Sequence, residues 1–99
     1  MTLLDKALNI YPQGDAAYTT LGGVLISQGW DSPRAMSALE KAIQLNPVND
    51  LARDYLGVAL VKQGQIEKGI QYFREALEIN PGLESAKQHL DIALRAVKK

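Results

Sequence analysis

Few residues of this 99-residue chain have the types and spacing that catalysis or metal binding would need. His89 is the single histidine and there is no cysteine, so a zinc ligand set and a thiolate nucleophile are both missing. As a general base, His89 would lack a recognisable nucleophile and an orienting partner. We therefore expect His89 to be a polar residue on a helix with no catalytic role. Asp50 and Asp54 fall on one predicted helix and Asp91 falls on another, and we expect helix starts or surface charges at all three. We therefore expect no enzymatic activity, no cofactor and no metal.

Two other features invite a functional interpretation. Gly22 and Gly23 are adjacent, but no Lys-Ser or Lys-Thr follows them, so they do not form a phosphate-binding loop. Trp30 lies in a predicted turn between two helices. Its ring either folds back over the helix ends or is a surface anchor for a partner, since tryptophan is enriched at interaction hot spots.

The overall charge is balanced, with 11 basic and 11 acidic residues. Nucleic acids and anionic membranes attract proteins with a concentrated basic field, so we expect neither as a partner. No apolar run approaches the roughly 18 residues of a membrane-spanning helix, and no secretory signal is visible. With no cysteine in the chain, we expect a cytoplasmic location.

The strongest pattern in the chain is an internal repeat. The segments TLLDKALNIYP, SALEKAIQLNP and QYFREALEINP align, and they place Ala7, Ala42 and Ala76 at intervals of 35 and 34 residues. The segments DAAYTTLGGVLISQG and DLARDYLGVALVKQG, residues 15–29 and 50–64, align in the same register. A period of this length predicts a stacked helical array.

The breaks between repeated segments predict where helices end. Prolines at 12, 47 and 81 cannot continue a helix, and Gly29 and Gly64 suit the left-handed conformation that follows a helix end. We predict six helices, at about residues 2–10, 15–28, 33–45, 49–63, 66–79 and 83–97. The short connections make consecutive helices antiparallel neighbours. Gly22 and Gly57 occupy matching places, which predicts close helix approach there.

These residues resemble the tetratricopeptide repeat, whose signature runs aromatic-x2-Leu-Gly-x2-Tyr, Ala-x3-Phe and Pro. The first matching set is Tyr18, Leu21, Gly22, Leu25, Ala35, Leu39 and Pro47; the second is Arg53, Leu56, Gly57, Leu60, Gly69, Phe73 and Pro81. The chain departs from the pattern at Arg53, at Gly69 and by one inserted residue near positions 30–31.

The resemblance implies an all-α fold, a right-handed α-solenoid of antiparallel helix pairs with about six helices. We expect residues 1–12 to be the second helix of an incomplete repeat, residues 13–47 and 48–81 to be repeats, and residues 82–99 to be a C-terminal capping helix.

The resemblance also implies a concave groove, lined by the first helix of each pair, that binds a protein or peptide. The positions expected to face it are Thr19, Gly23, Ile26, Leu51, Asp54, Val58, Val61, Lys62, Gln88 and Ile92. Relatives that grip the C-terminal carboxylate of heat-shock chaperones use lysines, asparagines and arginine. That set is missing here, so we expect a different ligand. Gly23 leaves room for a bulky ligand side chain.

The repeat and the missing catalytic groups are compatible with two functions. The first is a non-enzymatic adaptor or scaffold that binds a peptide or protein segment in the groove. The alternative is a structural assembly module that forms homo-oligomers through the helix face of residues 2–11, which a preceding helix would otherwise cover. The chain is either a fragment of a longer array or a short array whose end a partner covers.

Overall fold

The computed structural model describes residues 14–29 and 32–97, and within them every regular element is a helix. The helices are α1 (Asp15–Ser27), α2 (Ser32–Leu45), α3 (Asp50–Lys62), α4 (Ile66–Ile79) and α5 (Glu84–Val97). Their ends agree with the predicted ranges to within one residue, so the all-α prediction is confirmed. The predicted helix at about residues 2–10 and Trp30 lie outside the described residues.

The helix ends have the local causes that the sequence indicates. After α3, Gly64 adopts a φ of 86°, and its N–H donates to the Val61 carbonyl. The N–H of Gln65 donates to the Leu60 carbonyl at 2.9 Å, which completes the hydrogen-bond pair of a Schellman motif. Gly29 has a φ of 68° at the matching place after α1. A left-handed glycine therefore ends the first helix of both pairs.

The helices pack as successive neighbours around α3. α1 packs against α2, α3 packs against α4, and α5 lies against α4; α3 also contacts α1, α2 and α5. A buried cluster of small and medium-sized side chains joins α2 to α3; it consists of Leu39, Ala42, Ala52, Leu56 and Leu60. α3 is therefore the one described helix that contacts all the others.

Glycines lie at close approaches between helices, as predicted. A Cβ atom added at Gly22 would lie 2.5 Å from Cγ of Leu39, and one added at Gly57 would lie 2.5 Å from Cε1 of Phe73. Both neighbouring side chains are fully buried. Any larger residue at these two positions would push the paired helices apart.

The two departures from the repeat signature have structural partners. A Cβ atom at Gly69 would lie 2.5 Å from Cγ2 of Val61, so the alanine usual in the family would not fit. Nε of Arg53 lies 3.3 Å from Oε1 of Glu75, and its Nη1 donates to the Pro47 carbonyl. Arg53 thus links α3 to α4 and to the preceding turn, where relatives place an aromatic ring. None of the five helices is both long enough and apolar enough to cross a membrane.

Candidate functional site

An open groove of about 720 Å³ lies between α1 and α3. α1 and α3 form its walls, the turn before α3 contributes Asn46, Val48 and Asn49, and α5 contributes His89. Five of the predicted groove residues line it, namely Thr19, Gly23, Ile26, Leu51 and Val58. The structure therefore brings half of the predicted positions together in one concave surface.

Several apolar side chains are exposed around the groove. Val24 of α1 and Leu51 of α3 are each 40% exposed, and Val48 in the intervening turn is 66% exposed. Exposed apolar side chains are ordinary one by one, but three around a single concavity offer a surface that another chain could cover. The repeat alignment did not single out Val24 or Val48, because it considered only the positions that face the groove in relatives.

A polar cluster forms the buried base of the groove at its α2–α3 end. The side-chain amide of Asn49 donates to Oδ2 of Asp15 at 2.7 Å and to Oγ1 of Thr19 at 2.9 Å. Oδ1 of Asn49 accepts from the Ala52 N–H, so the same residue caps α3. The hydroxyl of Thr19 donates to the Asp15 carbonyl at 2.8 Å. Thr19 thus lines the groove as a buried side chain whose hydroxyl is hydrogen-bonded within the fold.

Asp54 is the main correction to the predicted site. It was expected to face the groove or to carry a surface charge, but its side chain is fully buried. Oδ2 of Asp54 accepts from the hydroxyl of Ser85 at 2.6 Å, and Oδ1 lies 2.8 Å from Nδ1 of His89. A buried carboxylate needs such partners, because leaving water is costly for an unpaired charge. Asp54 thus attaches α5 to α3.

His89 consequently has the orienting partner that the sequence did not reveal. Its ring also packs against Phe73, with ring centroids 5.6 Å apart. The three side chains do not form a nucleophilic relay, because Ser85 donates to the carboxylate and not to the imidazole. The sequence clue was Asp54 itself, a charged residue between the apolar core positions Ala52 and Leu56 of one helix.

The remaining predicted positions have mixed environments. Val61 is half-buried and packs against the cluster of Ile70, Phe73 and Ala93, so it belongs to the contact between helices. Nζ of Lys62 donates to the Ile26 carbonyl at 3.2 Å and so links α3 to α1, but Lys62 does not line the groove. Gln88 and Ile92 are exposed on α5 but do not line the groove.

The ring of Tyr55 occupies part of the space beside Gly23 in the groove. A Cβ atom at Gly23 would lie 3.0 Å from Cε2 of Tyr55, so the tyrosine ring already covers this position. Among the residues that the structure describes, no group of three or more His, Cys, Asp or Glu side chains is arranged to hold a metal ion. The groove therefore offers surfaces for side-chain packing and hydrogen bonding.

Comparisons with known proteins agree with this geometry. A family model of the tetratricopeptide repeat matches residues 55–83. A crystal structure of MamA has 27% sequence identity and a TM-score of 0.83 over 96% of this chain and 55% of that chain. A second crystal structure of the MamA protein has 28% identity and a TM-score of 0.80, over 93% and 50% of the two chains. The chain thus spans about half the length of the MamA structures.

The first TPR of Spaghetti (RPAP3), bound to the HSP90 peptide SRMEEVD, has the same fold at 19% identity, with a TM-score of 0.85 over 97% of this chain and 75% of that chain. No curated protein sequence is significantly similar to the chain. Residues 55–83 thus match the tetratricopeptide repeat that the sequence signature predicted, and the chain shares its helical architecture with these structures.

Proposed function

We propose that the chain is a non-enzymatic protein-interaction module that binds a peptide or protein segment in the groove between α1 and α3. The observation that supports this proposal best is the exposed apolar surface of Val24, Val48 and Leu51 around an open concavity. The peptide-bound structure of the first TPR of Spaghetti (RPAP3) supports the general capacity of this fold to bind peptides.

The groove favours a ligand that binds through side-chain packing. Thr19 and Asp54 occupy positions at which relatives hold a terminal carboxylate, and both are buried and hydrogen-bonded within the fold. A terminal carboxylate would find no Lys or Arg among the described residues that line the groove. An extended or helical segment that covers Leu51 and Val24 with apolar side chains fits these surfaces better.

The test is a charged substitution on the groove wall with a matched control elsewhere. Leu51→Arg places a cation on the exposed part of the wall, whereas Leu45→Arg makes the same change at a 47% exposed leucine of α2 that does not line the groove. Peptides selected from a displayed random library on the wild-type chain would be titrated against both variants by fluorescence anisotropy.

We expect Leu51→Arg to weaken binding at least about tenfold, which is the scale of a disrupted interface anchor, and Leu45→Arg to bind like wild type. Circular dichroism melts of both variants verify that each one folds. Equal affinities of the two folded variants would refute groove binding.

The alternative function, homo-oligomerisation through residues 2–11, concerns residues outside the described ranges and remains a prediction. Light scattering over a range of concentrations tests it, because a strict monomer at the highest concentration would refute it. The cytoplasmic location is likewise part of the proposal, and microscopy of the tagged parent protein is the measurement for it.

A further inference from the structure

The charged residues that line the groove are unevenly distributed. Asp15 and Asp50 stand at the end where α1 and α3 begin, and the described lining contains no Lys or Arg. The two carboxylates are close neighbours in the fold, since Asn49, the residue before Asp50, donates to Asp15 at 2.7 Å. At the opposite end, Lys62 bridges from α3 to the Ile26 carbonyl. The carboxylates that line the groove are therefore confined to one end, and Lys62 lies outside the lining.

Neutral groups alone partner these two carboxylates within the described residues. Asp15 accepts from the amides of Asn46 and Asn49, and Asp50 accepts from the Asn80 amide and the Leu51 N–H. Other carboxylates of the same helical array differ in having cationic partners; Glu75, Glu84 and Asp91 lie 3.3, 3.5 and 3.0 Å from Arg53, Lys87 and Arg95. Amide donors orient a carboxylate without neutralising it, so these hydrogen bonds leave the negative charge of both side chains in place.

Both carboxylates have a structural role as first-turn residues of α1 and α3, where they interact favourably with the helix dipole. That role accounts for their presence at helix starts. The helix N-terminus carries only about half a unit of positive charge, so each carboxylate leaves the groove end net negative. The charge also adjoins the exposed apolar side chains of Val48 and Leu51, which lie on the same groove surface.

Resting on the proposed function, we infer that the ligand of the groove is an apolar segment that carries a Lys or Arg side chain. Its apolar side chains pack on Val24 and Leu51, and its basic side chain lies at the Asp15–Asp50 end. This ligand class is opposite in charge to an acidic peptide that ends in a terminal carboxylate.

The experiment is a peptide selection on the wild-type chain, with a phage-displayed library of random linear peptides as the probe. We expect the enriched peptides to combine apolar residues with Lys or Arg. The same peptides are then titrated against Asp15→Asn and Asp50→Asn, since asparagine keeps an acceptor oxygen for the internal amide bonds while it removes the charge. Glu78→Gln is the matched control, because it removes one negative charge from an exposed position of α4 outside the groove.

We expect each aspartate variant to weaken binding about two- to fivefold, the range of a partly exposed charge pair, and Glu78→Gln to change nothing. The wild-type affinity should fall as salt rises, and this dependence should be reduced in both aspartate variants.

The outcomes separate this inference from the proposed function. Peptides that lose binding to Leu51→Arg but lack basic residues, or that bind both aspartate variants at full affinity, would overturn the inference and leave groove binding intact. Enrichment of acidic peptides would also overturn it. Peptides that bind Leu51→Arg as well as wild type would refute groove binding itself.

Discussion

Asp54→Ala is the substitution that probes the architecture most directly. Asp54 is fully buried in α3, and its two oxygens bind Ser85 and His89 of α5. Removing the carboxylate leaves the hydroxyl and the imidazole without their common partner and opens a small cavity at the contact between α3 and α5.

The expected cost follows from the two lost contacts. A hydrogen bond to a charged group contributes about 1.5–3 kcal/mol, and removing one member of a buried hydrogen-bonded pair costs about 3–5 kcal/mol. His89 is one-third exposed and can recover part of its loss by binding water, so we expect a decrease of about 3 kcal/mol in the free energy of unfolding. For a domain of this size, that corresponds to a melting temperature lower by about 12–24 °C.

Urea denaturation measures the loss in free energy of unfolding, and hydrogen exchange shows which helix loses protection. We expect exchange to accelerate most in α5, because the lost hydrogen bonds attach that helix, and least in α1 and α2. Asp91→Ala is the control, since it removes an exposed carboxylate of α5 whose pairing with Arg95 is worth about 0.3–0.5 kcal/mol. A loss below about 1 kcal/mol for Asp54→Ala, or equal acceleration in all helices, would refute this account of the α3–α5 attachment.

Two further predictions concern packing and capping. Gly22→Ala should lower the free energy of unfolding by about 1–2 kcal/mol, because the added Cβ would collide with the buried side chain of Leu39. Gly23→Ala should lie within about 0.5 kcal/mol of wild type, since the ring of half-buried Tyr55 can shift and alanine favours the helix. Thermal melts compare the two variants, and equal losses of stability would contradict the close-approach role of Gly22. Asn49→Ala should lower the free energy of unfolding, measured by urea denaturation, by about 2–3 kcal/mol, since it removes the N-cap of α3 and the amide donor of a buried cluster. A decrease of less than about 0.5 kcal/mol would show that water replaces that donor.

The fold could be predicted from the sequence because its determinants are local. The prolines at 47 and 81 and the glycines at 29 and 64 mark helix ends by backbone constraints that act within a few residues. The repeat strengthens each prediction of a helix end, since the same residue types recur at matching positions of successive repeats. The division of the chain into an incomplete repeat, two repeats and a capping helix remains a prediction.

The site was predicted only in part because it depends on contacts between distant residues. Asp54 meets Ser85 and His89 across 31 and 35 positions, and only the packing of α5 on α3 brings them together. The resemblance implies that Thr19 and Asp54 face a ligand, whereas in the fold both side chains make internal hydrogen bonds. The covering of Gly23 by Tyr55 was missed for a similar reason, since it depends on the direction of a side chain two helices away.

The central position of α3 determines how cooperatively the helices unfold. Long solenoids can lose an end and keep the rest, because each unit touches only its neighbours. Here one helix contacts the four others in the described ranges, so neither hairpin can detach without uncovering the same core. We expect a single melting transition shared by all five helices, and a protease that cuts within α3 should release no stable half.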